Sequence, residues 1–67
     1  MNTTKAYNKT VAYQAILIKA DLEADRINIP TARYAYKRLR SIVTASNNKE
    51  LREHMDKTEA YVFLSNL

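Results

Sequence analysis

Arg33, Lys37 and Arg40 recur at spacings of four and three residues, Arg38 sits between them, and Tyr34 and Tyr36 interleave with the basic side chains. On a helix those spacings put the first three in one row. Guanidinium and ammonium groups so arranged neutralise phosphates, and arginine also reads guanine edges from the major groove. Residues 31–45 hold these four cations and no acid; the other residues hold seven basic and seven acidic side chains, from totals of eleven and seven. The whole formal charge of +4 therefore lies on this segment. Its field attracts acidic partners and speeds encounter. Arg33, Lys37 and Arg40 are expected to hold phosphates. Arg38 and Tyr34, on the side facing away from the core, are expected to add contact or selectivity by stacking. Tyr36 falls on the apolar face and is expected inside. Two other readings compete: a protein interface, since tyrosine and arginine are enriched at binding hot spots, and a basic face that serves solubility alone.

Other residues offer little chemistry. His54 is the single histidine, so no base stands ready beside an activated nucleophile, and one imidazole cannot build a zinc site. His54 and Thr58 are four apart, a spacing common by chance. Asp21, Glu23 and Asp25 alternate along a helix and point in different directions, which suits a solvated, ion-paired helix end better than a metal site. Lys19 with Glu23 and Arg52 with Asp56 have the four-residue spacing of surface ion pairs of marginal worth. The expectation is a non-enzymatic chain with no cofactor, metal or small-molecule substrate.

Length and composition narrow the class. Sixty-seven residues make one small domain with a thin stability margin. Scaffolds of this size gain support from disulfides, metals or oligomers. Cysteine is absent, so self-association, most simply a homodimer, is the remaining device, and the lack of thiols fits a reducing, cytoplasmic setting. Glycine is also absent, where an average chain of this length would carry about five. Hairpin turns and phosphate-cradling loops depend on glycine, so the composition points to an all-α fold. The longest uncharged run, Thr10 to Ile18, falls well short of the roughly 20 residues that span a bilayer. No export signal is expected, and no membrane partner.

Helical elements must position the basic row. A first helix is predicted over Thr4–Arg26, capped by Thr3 or Thr4. Tyr7, Val11, Ala15, Ile18 and Leu22 form one apolar stripe. Ala6, Tyr13, Leu17, Ala20 and Ala24 form a second on nearly the opposite side, with Lys5, Asn8, Lys19, Glu23 and Arg26 on a polar edge. A helix apolar on two sides needs partners on two sides. It is either the central helix or the bearer of an oligomer interface. Pro30 disfavours continuation through Ile29 and suits the opening of a second helix, Thr31–Ala45, with Thr31 as a cap. Ile27 and Ile29 are expected to plug the end of the core. Ala32, Ala35, Tyr36, Leu39, Ile42 and Val43 make the buried face of that helix. Asn47 with Glu50 has capping-box spacing. The last segment carries Leu51, Met55, Thr58 and Val62 as its buried stripe, with Tyr61 beside it and Phe63 and Leu64 off it. The expected architecture is a small three-helix bundle, becoming four helices if the last segment breaks near Asp56. One continuous final helix is the preferred reading.

Residues 24–38, with Ala24, Ile27-Asn28-Ile29 and the Pro30-Thr31 entry, resemble a helix-turn-helix, an alanine followed by a turn with apolar flanks and a recognition helix. The resemblance implies a buried Tyr34 midway along the second helix. The register departs at Lys37 and Arg38, where the motif wants apolar residues, and at Glu23; family membership does not follow.

Two functions remain. The first is a small regulatory nucleic-acid-binding protein using Thr31–Ala45. The second is a protein-binding inhibitor or adaptor, of the kind phages and mobile elements encode in short genes, acting through Tyr13, Leu17, Tyr61, Phe63 and Leu64. Unpaired apolar surface marks such interaction sites.

Overall fold

A computed structural model describes residues 3–67, with side chains from Ala6 onward. The expected cap at Thr3 or Thr4 and the place of Lys5 lie outside the described side chains. The described chain is all helical: α1 Thr3–Glu23, α2 Ile29–Ala45, α3 Lys49–Asp56 and α4 Glu59–Ser65. Four helices replace the preferred three.

The fourth helix arises from a break at Lys57-Thr58. Both residues close 3₁₀-type turns, Lys57 N–H to His54 C=O at 3.2 Å and Thr58 N–H to Met55 C=O at 3.0 Å. Thr58 then takes extended backbone and opens α4. Its hydroxyl donates back to the His54 carbonyl at 2.9 Å and makes no cap bond for α4. That bond accounts for the His54–Thr58 spacing and leaves the imidazole out of it.

The break resets the helical phase. A continuous helix would bury Val62 beneath Leu51 and Met55. After the break Ala60, Tyr61 and Leu64 face inward instead, and Val62 is exposed. Leu64 (2% exposed) and Tyr61 (8%) are core residues, which removes both from the expected protein-binding surface.

On α1 the inward line runs through Asn8, Val11, Ala12 and Ala15, with Ile18 and Leu22 half-buried. Tyr7, expected inside, is exposed. Asn8, expected on the polar edge, is 2% exposed and its amide oxygen has no hydrogen-bond partner among the described residues. A small side chain fits where α3 comes close, since Glu50 and His54 share a surface depression with Asn8. The orphaned oxygen costs stability there. The second stripe, Ala6, Tyr13, Leu17, Ala20 and, just past the helix end, Ala24, is exposed, with Ala20 bordering a depression shared with Thr58, Glu59 and Ala60. α1 touches all three other helices but along one side. It is not the central helix.

α2 starts two residues earlier than expected. Asn28 is the cap, its side-chain oxygen accepting from the Thr31 N–H at 3.0 Å. Thr31 is thus the donor and not the cap. Pro30 sits in the first turn, where a missing N–H costs nothing. Ile27 packs against the core as expected, whereas Ile29 is exposed because it has become part of the first turn of α2. Ala32, Leu39 and Val43 are buried, Ala35 and Tyr36 half-buried, and Ile42 exposed.

Two left-handed residues do the work that glycine usually does at helix ends: Asp25 (φ 60°) after α1 and Asn47 (φ 51°) after α2. Asn and Asp tolerate this region best among non-glycine residues. Asn48, one residue later than expected, caps α3 by accepting from the Leu51 N–H at 3.1 Å. Among the described residues no helix is long and apolar enough to cross a membrane.

Candidate nucleic-acid interface

α2 is unbroken from Ile29 to Ala45, so its side chains can be placed by about 100° of rotation per residue. The buried line of Ala32, Leu39 and Val43 defines its inner side. Opposite lie Tyr34 and Ser41. Arg33, Lys37 and Arg40 flank them on one side and Arg38 on the other. All four cations are exposed. Arg38 and Ile42 share a depression with Gln14 and Ile18 of α1, whereas Arg40 faces toward α3 and α4. The basic row is therefore a face roughly half the helix wide, with Tyr34 near its middle.

Ion pairing among the described residues is concentrated elsewhere. Lys19 meets Glu23 at 4.0 Å and Glu59 at 3.6 Å, and Arg26 meets Asp21 at 2.8 Å. Glu23 and Asp21 thereby form the ion-paired helix end expected from the acidic cluster. None of Arg33, Lys37, Arg38 and Arg40 has a carboxylate within ion-pairing distance among the described residues. The Arg52–Asp56 pair expected on α3 does not form either; such a pair on the surface gains too little to hold two long side chains together.

Tyr34 is 65% exposed, the most exposed of the large apolar side chains. That corrects the buried place implied by the helix-turn-helix resemblance; Ala24, which the motif places at the start of its turn, is exposed too. Tyr36, one turn-half away, points inward and stacks against Tyr61 with ring centroids 5.2 Å apart and a 53° tilt. Burial first, and the neighbouring Tyr36 next, push the Tyr61 hydroxyl up to about 12. This pair pins α2 to α4 and fixes which side of α2 faces solvent.

The other candidate surface divides. Tyr13 is 55% exposed and Leu17 is exposed, with Ile16 beside them. Phe63 is 37% exposed, and the Lys19 ammonium lies 5.1 Å from its ring centroid. Lys19 thus ties α1 to α4 by charge and by its position over the ring. Ile16 belongs to neither apolar stripe of the sequence, sitting between the second stripe and the polar edge.

Comparison with protein-family models, with curated proteins and with solved structures found no match.

Proposed function

We propose that this chain is a small regulatory nucleic-acid-binding protein that acts by occupancy, without catalysis, through the outward face of α2. The observation that carries the reading is the set of four exposed cations on one helix, without carboxylate partners among the described residues. A cationic side chain already held by a carboxylate must break that contact to take a phosphate. These four need not. Arg33, Lys37 and Arg40 neutralise successive phosphates, while Tyr34 offers an exposed ring for stacking and Arg38 extends the contact on its far side.

Titrating the chain into labelled duplex DNA, single-stranded DNA and RNA at 50 and 200 mM salt tests this. Four phosphate contacts predict about a 100-fold loss of affinity across that range. Tyr34→Ala is expected to weaken single-strand binding by roughly 1–3 kcal/mol with no change in thermal midpoint. Absence of binding at 50 mM salt, or binding indifferent to salt, rejects the proposal.

A second reading has its own observation. Tyr13, Ile16 and Leu17 are exposed apolar side chains on α1, and Phe63 of α4, beside the Lys19 ammonium, is exposed as well. Such surface suits a protein partner or a second copy of the chain, making the protein an inhibitor, an adaptor or a homodimer. The two readings are compatible, since these side chains and the basic face lie on different helices.

A further inference from the structure

A cleft of about 400 Å³ opens where α2, α3 and α4 meet. Arg40 and Tyr36 line it from α2, Arg52 and Asp56 from α3, and Tyr61 from α4. Its size falls within the usual range for small-ligand sites, roughly 300–1,000 Å³. Arg52 played no part in the basic face read from the sequence, because it lies on another helix and its spacing pairs it with Asp56.

Two arginines from separate helices line one cleft, and neither makes an ion pair among the described residues. Asp56 lines the same cleft without capturing either of them. It is also the last residue of α3, where the helix dipole disfavours a carboxylate. Arg40, Asp56 and Tyr61 all line the cleft, and the two charges act on the Tyr61 hydroxyl with opposite sign. With two positive charges and one negative, the cleft carries an excess of +1. Arginine's planar fork suits the tetrahedral oxyanion of a phosphate, and the Thr44 hydroxyl on the same wall is a further donor.

We infer that Arg40 and Arg52 together hold one backbone phosphate of the nucleic acid in this cleft, so that the strand leaves the α2 row at Arg40 and crosses onto α3. The inference rests on the proposed nucleic-acid reading and adds a site to it. Arg40 is the last member of the Arg33–Lys37–Arg40 row and the first member of the cleft, so the two surfaces are continuous. Asp56 weakens the site by repelling the phosphate that the arginines attract.

The test uses the full chain and four single variants, Arg40→Gln, Arg52→Gln, Asp56→Asn and Lys49→Gln, with an oligonucleotide titrated at two salt concentrations. Lys49 is exposed on the same helix as Arg52 and outside the cleft, so its variant makes the same charge change without touching the site. Arg40→Gln and Arg52→Gln are each expected to lower affinity about tenfold and to reduce the salt slope by about 0.7–0.9. Asp56→Asn is expected to raise affinity several-fold, an effect that loss of structure would not produce. Lys49→Gln is expected to change affinity less than twofold. If the unaltered chain binds with salt dependence but Arg52→Gln and Lys49→Gln are equal, the cleft plays no part and the inference fails while the proposed function stands. Failure of the unaltered chain to bind removes both. Competition by a polyglutamate peptide as effective as the oligonucleotide at matched charge would assign the cleft to carboxylates and overturn the phosphate assignment.

Discussion

The outward faces of α1 and α2 are both solvent-exposed, yet they are built from opposite materials. That of α1 presents Tyr13, Ile16, Leu17 and two alanines; that of α2 presents Arg33, Lys37, Arg38 and Arg40 around Tyr34. The inner faces differ in the same sense. α1 fully covers Asn8, Val11, Ala12 and Ala15 and only half-buries Ile18 and Leu22, whereas α2 fully covers Ala32, Leu39 and Val43 and half-buries the Tyr36 ring. The helix with more apolar residues thus covers fully only small and medium ones. Small inward residues allow close helix approach but remove less apolar area from water. Tyr7, Tyr13, Ile16 and Leu17 are left largely outside, where they contribute less to the stability of the isolated chain than covered side chains would. The contrast teaches that apolar content on a helix does not identify the buried side, and that two exposed faces of one small fold can serve unlike partners.

The contrast is sharpest if charge on α2 can be removed without touching stability. Neutralising Arg33, Lys37, Arg38 and Arg40 together to Gln is expected to lower nucleic-acid affinity at 50 mM salt by at least about 100-fold. The urea midpoint should move little, because exposed substitutions without partners stay near ±0.5 kcal/mol each. A large loss of stability would show that α2's outward face takes part in the fold after all.

The next effect concerns the seam that orients α2. The Tyr61 hydroxyl titrates near 12 in the fold and near 10 in the unfolded chain. A raised value means the neutral form is favoured in the fold. That stability is fully present below about pH 10 and is lost as the pH climbs through 10 to 12. Urea unfolding at pH 9 and pH 11.5 should therefore show a steeper loss for the unaltered chain than for Tyr61→Phe, which cannot titrate. Equal losses in the two would mean that Tyr61 meets water and does not hold α2 against α4.

The smallest effect is expected on α1. Tyr13→Ser with Leu17→Ser should shift the unfolding free energy of the monomer by less than about 1 kcal/mol. If a second copy covers these side chains, the same variant instead lowers the mass measured by sedimentation at high concentration. A monomeric unaltered chain, or an unchanged mass in the variant, would separate α1's outward face from self-association.

How much of this was legible beforehand differs along the chain. α2 was legible because its signals are local. Ala32, Leu39 and Val43 fall on one line and the cations fall off it, so the hydrophobic period and the charge agree. Tyr34 and Tyr36 were separated correctly by the same angle. α1 offered two apolar lines of similar length, and periodicity alone could not choose between them. Asn8 carried no signal of burial, since a polar residue beside lysines reads as surface. Arg52 was invisible as a site residue because its partner in the cleft, Arg40, is twelve positions away on another helix.

By itself the sequence determined the all-helical class, through the absence of glycine and the spacing of apolar residues, and it determined that the positive excess sits on one helix. Both are properties of near neighbours along the chain. Tertiary structure decided which side of α1 is covered and brought Arg52 to Arg40. The turn at Lys57-Thr58 rotated Tyr61 and Leu64 into the interior. Those outcomes depend on how helices meet in space, and a phase reset of a few residues is enough to exchange inside for outside.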